Sequence, residues 1–221
     1  MKYSILFINL LILFSCQQEG HKIIDKPIIF NEERNQLTLE YLSSHYNLIQ
    51  DKPTITPKMI VLHWTHIPTL DKSFNAFKNI HLPNSRAKIK TASNLNVSAH
   101  FLVDQDGTIY RLMSETTMAR HVIGLNHCAI GIENVGGDKN TPLTQAQIDA
   151  NIYLVNYLLD TYDIQYLIGH YEYTQFENNE LWLEKDAGYR TIKTDPGAEF
   201  MHSVRSATKH HNFKENPINK Q

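Results

Sequence analysis

Two apolar runs in this chain end in histidine: Met59-Ile60-Val61-Leu62 leads into His63, and Tyr166-Leu167-Ile168-Gly169 leads into His170. Runs without polar alternation are the pattern of strands buried on both faces. In open α/β sheets, ligands gather outside the carboxyl ends of such strands, so two histidines delivered to that edge could meet there. Either histidine taken alone reads equally well as a satisfied core or surface residue. A second pair lies in Arg190-Thr191-Ile192-Lys193-Thr194-Asp195-Pro196-Gly197. Residues i and i+2 of an extended chain share a face, so Lys193 and Asp195 point into the same space. They form either an ordinary ion pair, or a carboxylate that holds a metal beside a cation that faces developing negative charge. Asp195 also precedes Pro196, which suits an N-cap followed by proline at the first helical position. Glu133 shares a strand face with Ala129 and Gly131, two small residues that leave room for something to approach; the competing reading is a salt-bridged or edge-exposed glutamate. The chain holds 12 histidines, so their number argues nothing and their position carries the case.

These residues need elements to hold them. Asn31 is a suitable N-cap, with Glu32 and Glu33 in the first turn and Leu37, Tyr41, Leu42 and Tyr46 at helical spacing. A short helix is expected over Ser73–Ile80, and an Asn-rich loop over Leu82–Val97. Ala99–Val103 and Thr108–Met113 flank Asp104-Gln105-Asp106-Gly107, a hairpin signal. Cys128–Val135 is a further strand region. Thr144 and Gln147 form a capping box that opens a helix with Ile148, Ile152, Val155 and Leu159 on one face. Pro196 starts a last helix that continues through Phe200, Met201 and Val204, and the chain is loose from Lys209 onward. A hairpin mixed with strand–helix–strand units predicts an α/β fold, a single mixed β-sheet flanked by helices.

Composition narrows the function. A net charge of −2 and the lack of a Lys/Arg run give no electrostatic case for nucleic acid. Met1–Ser15 reads as a signal peptide, since Lys2 precedes an apolar run from Ile5 to Phe14 that is shorter than the roughly 20 residues of a membrane span. Leu13-Phe14-Ser15-Cys16 resembles the lipobox of bacterial lipoproteins, in which the cysteine is acylated and becomes the new N-terminus; an uncleaved anchor is the alternative. Either way, an exported protein tethered to a membrane is expected, with residues 16–27 as the tether, 28–208 as the domain and 209–221 as a flexible tail. With Cys16 lipidated, only Cys128 remains, so no intrachain disulfide forms. A monomer is expected.

Five segments stand out in order: Val61-Leu62-His63-Trp64-Thr65, Ser98-Ala99-His100-Phe101 with Asp106-Gly107, Ile130-Gly131-Ile132-Glu133, Gly169-His170, and Lys193-Thr194-Asp195-Pro196-Gly197. Their order resembles that of zinc N-acetylmuramoyl-L-alanine amidases, the amidase-2 group, which is related to phage lysozyme-type amidases and peptidoglycan recognition proteins. The chain resembles that family from about Lys58 to Arg205. The resemblance implies Zn2+ held by His63, His170 and Asp195, with Glu133 as general base and Lys193 stabilising the tetrahedral intermediate. A second branch uses a tyrosine where this chain has Ala99, which puts more weight on Glu133. His121 corresponds to a substrate-contacting histidine of some members, although Val122-Ile123 replace the small residues usual there. Tyr171–Ile192 is longer than in many relatives; with Trp182 and Tyr189 it either walls the groove, Trp182 then touching substrate, or packs as a surface excursion. The implied substrate is peptidoglycan or its fragments. A non-catalytic peptidoglycan-binding module and a purely structural zinc site are the alternatives, although structural sites usually close with four protein ligands.

Overall fold

The computed structural model describes residues 21–217. The expected signal peptide and the lipidation site Cys16 lie outside them. Six strands form one mixed sheet in the order β1-β4-β3-β5-β2-β6: β1 Ile23–Asp25, β2 Met59–Trp64, β3 Phe101–Val103, β4 Ile109–Arg111, β5 Ala129–Asn134 and β6 Tyr166–Gly169. Only β3 and β4 pair antiparallel, as the hairpin expected around the Asp-Gly turn. Gly107, at φ +86°, takes the conformation that turn requires.

The adjacent strands β5, β2 and β6 run parallel and are buried throughout, apart from half-buried Trp64 at the end of β2. The alternation of side chains therefore sorts residues into two packed faces. On one, Met59, Val61, Ala129, Tyr166 and Ile168 join Tyr41, Leu42 and Tyr46 of helix α1, Glu32–Tyr46. On the other, Ile60, Leu62, Ile130, Ile132 and Leu167 meet α4, Gln145–Leu159, and α5, Ala198–Thr208. The two remaining helices are α2, Leu70–Lys78, and the single turn α3, Ala87–Lys90. Among the described residues no helix is long and apolar enough to cross a membrane.

Capping follows the sequence at two helices. Asn31 accepts from the Arg34 amide at 3.1 Å, and both halves of the Thr144/Gln147 capping box are formed. Elsewhere the structure departs from expectation. The tether is structured in part: Ile23–Asp25 adds a parallel strand to β4, because that edge has free amides and carbonyls that β-branched residues can pair. The short helix starts at Leu70 rather than Ser73, and the Asn-rich loop contains a turn of 3-10 helix, Asn84–Arg86, followed by α3. Pro196 does not open the last helix. It follows a cis peptide bond, Gly197 is the N-cap, and the Asp195 carboxylate is engaged elsewhere. Nor is the chain loose from Lys209: Lys209–His211 form a 3-10 turn, Phe213 packs on the α4/α5 face, and the Lys214 amide donates to the Gln165 carbonyl at 2.9 Å.

Candidate metal centre and catalytic cleft

Parity along the strands assembles the centre. His63 follows Met59 and Val61 on the α1 face of β2, and Glu133 follows Ala129 and Gly131 on the same face of β5. The two are register partners, His63 opposite Glu133 and Val61 opposite Gly131. His170 continues the Tyr166, Ile168 series one residue past the end of β6. All three therefore arrive at the carboxyl ends of adjacent parallel strands, on one side of the sheet. Asp195 comes in on the segment before α5, held where the Tyr171 amide donates to the Asp195 carbonyl at 3.1 Å.

The side chains converge closely. Nδ1 of His63 lies 2.9 Å from Nδ1 of His170 and 3.2 Å from Oδ2 of Asp195, and His170 Nδ1 lies 3.0 Å from the same Oδ2. All three residues are buried, and their candidate ligand atoms lie within 4.8 Å of one another. Two imidazole nitrogens turned toward each other and toward one carboxylate oxygen form a cage of lone pairs, the donor set that a borderline-soft divalent cation takes. Burial pushes the Asp195 carboxyl up, but the His170 and His63 rings beside it outweigh that effect and hold the group well below the usual carboxylate range. Burial, with the neighbouring His63, lowers His170 to about 3, so the ring is neutral and free to ligate.

Glu133 is buried, and its Oε2 has no hydrogen-bond partner among the described residues. Burial raises its carboxyl to about 7; Asp195 adds to the rise, while His63 and Lys193 oppose it. A buried carboxyl with an unpartnered oxygen and a value near neutrality is what a proton acceptor requires. Glu133 and Lys193 line one cleft with His63, His170 and Asp195, a space of about 240 Å³.

The other expected site residues fall in different places. His121 lies at the same cleft, yet its ring is committed to protein groups: Nδ1 is 3.0 Å from Nε2 of His63, and Nε2 is 3.1 Å from the Ala129 carbonyl. Trp182 packs over Gly124, where a Cβ would come within 2.5 Å of its ring, stacks on Tyr173, and carries the Arg190 guanidinium at 4.6 Å. The Tyr171–Ile192 segment thus behaves mainly as a packed excursion, with Tyr173, Phe176, Leu181 and Tyr189 in the α1-face core. The cleft-wall residues that sequence reasoning did not place in the site include Trp64, Arg86 and Arg120. Trp64 was legible, since it adjoins His63. Arg86 and Arg120 were not, because loops bring them in; Arg120 is buried and donates to the carbonyls of Ser93, Leu95 and Ile89 and to the Tyr189 hydroxyl. The scaffold behind the centre was also silent: Asn151 donates to Asn134 Oδ1 at 2.7 Å, and Asn134 donates to the His63 carbonyl at 2.9 Å.

The family model described as N-acetylmuramoyl-L-alanine amidase matches residues 52–198, more than half of the chain. The endolysin of Enterobacteria phage T3 is 29% identical over 129 residues, covering 56% of this chain and 81% of that protein. The endolysin of Escherichia phage T7 is 32% identical over 100 residues, 43% of this chain and 66% of that protein. Among solved structures, the N-acetylmuramoyl-L-alanine amidase LysC from Clostridium intestinale URNW aligns with a TM-score of 0.50 at 21% identity, over 87% of this chain and 99% of that one. Human PGRP-IBETAC, solved in complex with glycosamyl muramyl pentapeptide, aligns with a TM-score of 0.50 at 20% identity, over 74% of this chain and 90% of that one. At these identities the solved structures establish a shared fold, the mixed sheet flanked by helices.

Proposed function

The chain belongs to the N-acetylmuramoyl-L-alanine amidase family, and from that premise we propose that it is a zinc amidohydrolase that cuts the amide bond between N-acetylmuramic acid and L-alanine in peptidoglycan or its fragments. The observation that carries this reading is the convergence of His63 Nδ1, His170 Nδ1 and Asp195 Oδ2 beside the unpartnered Oε2 of buried Glu133.

An unactivated amide is a poor electrophile, so its hydrolysis needs a strong nucleophile and help for the oxyanion. Zinc, when bound by His63, His170 and Asp195, supplies a Lewis acid that polarises the carbonyl and makes water nucleophilic near neutral pH. Glu133 accepts the proton of the attacking water at Oε2 and delivers it to the departing L-alanine amine, help typically worth about 10²–10⁴ in rate. Lys193 directs its ammonium at the oxygen that gains negative charge, where loss of one donor typically lowers the rate about 10²–10³-fold. Asp195 offsets part of the cation's charge, and burial keeps His170 neutral as a ligand. Cys16, acylated after removal of residues 1–15, would tether the enzyme beside its substrate; intact-mass analysis of membrane-purified protein tests this by looking for a lipidated Cys16 N-terminus.

The activity test incubates zinc-loaded protein with purified peptidoglycan and with a defined muramoyl-tripeptide, with and without a chelator. Mass spectrometry should find stem peptides with a free L-alanine amine, in amounts that collapse on chelation. Co-sedimentation with the wall without cleavage would replace the enzyme by a binding module, and neither cleavage nor binding would refute both.

A further inference from the structure

We propose that His121 is a positioning residue for His63, fixing the tautomer and ring orientation through which His63 presents Nδ1 to a metal ion, rather than a contact for substrate. The inference rests on the reading of His63, His170 and Asp195 as metal ligands and adds to it a specific hydrogen-bonded support.

Nε2 of His121 lies 3.1 Å from the carbonyl of Ala129, and a carbonyl can only accept, so this nitrogen carries the hydrogen and donates. In a neutral imidazole the other nitrogen is then an acceptor. That nitrogen, Nδ1 of His121, lies 3.0 Å from Nε2 of His63, so His63 donates from Nε2 and its Nδ1 is left with a lone pair. Nδ1 is the atom turned toward His170 Nδ1 and Asp195 Oδ2. One main-chain carbonyl of β5 thereby sets the tautomers of two rings in series and leaves the ligating atom free.

The seat of His121 is built for this. The ring lies over Gly131, where an added Cβ would come within 2.8 Å of it, so the strand must lack a side chain there. The space left by the small residues of β5 is thus filled by an imidazole of the protein itself. Asn126 holds the backbone at the same point, its Oδ1 accepting from the amides of His121 and Val122, each at 2.8 Å, and its Nδ2 donating to the Tyr46 hydroxyl at 2.9 Å. The His63 and His121 rings meet edge to face, with centroids 5.1 Å apart. With both ring nitrogens of His121 engaged, it has no remaining donor or acceptor to offer a substrate. Partners that orient metal-bound histidines in this way typically change metal affinity 10–100-fold when removed.

The test compares zinc affinity, by competition with a chromophoric chelator, in the wild type, His121→Ala and His121→Asn; the asparagine Oδ1 stands near the position of Nδ1 and can accept from His63. The expected result is affinity weakened about 10–100-fold in His121→Ala and substantially restored in His121→Asn, with KM at saturating zinc unchanged in both. Wild-type zinc affinity in His121→Ala with a raised KM overturns the proposal in favour of a substrate contact, and equal loss in both variants overturns it as well. Should the alanine variant fail to fold, the wild-type protein still decides: nitrogen NMR of the zinc-loaded form must show His121 protonated at Nε2, with a through-hydrogen-bond coupling between His63 Nε2 and His121 Nδ1, and a His121 protonated at Nδ1 overturns it. If His63→Ala keeps wild-type zinc affinity, the ligand set itself is wrong, a failure separable from that of His121.

Discussion

Glu133 is the residue at which burial and chemistry pull in opposite directions. Its carboxyl rises from 4.5 to about 7 because the sheet and the α1-face core remove water from it, so the folded protein prefers the protonated form. The sign follows directly: below pH 4.5 the folded and unfolded states both hold the proton and the preference is fully expressed, and it is lost as pH rises through 7. In metal-free protein this one group should account for about 3 kcal/mol less stability at pH 8 than at pH 4. Urea titrations of the wild type and Glu133→Gln at the two pH values measure it, and the variant should lack that component. The cost is offset when a cation sits beside the carboxylate, which favours the charged form. Glu133→Gln should therefore retain zinc yet lose about 10²–10⁴ in kcat, and normal turnover would remove Glu133 as the base. His170→Ala differs in kind: it deletes one of three converging ligand atoms, so metal analysis after dialysis should find it empty, and full occupancy would refute the ligand set.

At the scale of elements, strand β5 carries most of the burden. Its alternates on the opposite face, Ile130 and Ile132, pack in the α4/α5 core, while Ala129, Gly131 and Glu133 supply in turn an acceptor for His121, a seat for its ring and the proposed base. Gly131→Ala should lower stability by about 1–3 kcal/mol through overpacking, read as a reduced urea midpoint at unchanged slope. In the double variant with His121→Ala much of that loss should disappear, because the two residues contact each other and their effects are not independent. Helix α4 gives a contrasting case remote from the chemistry. Thr144 accepts from the Gln147 amide at 3.2 Å, and the Gln147 side chain accepts from the Thr144 amide and also donates to the carbonyls of Val103 and Val135. Thr144→Ala should cost about 1 kcal/mol and leave the activity of the zinc-loaded protein unchanged.

For the whole molecule, the centre ties together parts of the chain that share no local structure. His63 and Asp195 are 132 residues apart, and His63 and His170 are 107 apart. An ion held between them favours the folded state by RT ln(1 + [L]/Kd), about 4 kcal/mol at a thousandfold excess over Kd. Zinc should thus raise the unfolding temperature by several degrees and a chelator should reverse the gain; a melting curve indifferent to both would argue against a site on the native fold. The small chamber bordered by Tyr41, Arg120, Tyr189 and Lys193 joins α1, the Tyr171–Ile192 excursion and the cleft wall, so damage to that excursion should be felt in activity as well as in stability.

Apolar runs, turn glycines and strand parity are local properties of the chain, so β2, β5 and β6, the hairpin, the capped helices and the strand positions of His63, Glu133 and His170 were legible in it, whereas the selection of those three with Lys193 and Asp195 as one site came from the family resemblance. From β2, β5 and β6 alone, alternation already placed His63 with Val61 and Glu133 with Gly131. Long-range packing settled that Ile23–Asp25 adds a strand to the sheet edge, that the Asp195 carboxylate meets two imidazoles and leaves the helix start to Gly197, and that Phe213 and Lys214 pack back on the domain. The same holds for His121 and Arg120. The space over Gly131 was visible in the sequence, but what fills it was not, since a ring delivered by a loop is placed by contacts between residues far apart in the chain, and no spacing rule encodes those. Local periodicity specified which face each chemical group would occupy; long-range packing specified which groups would touch.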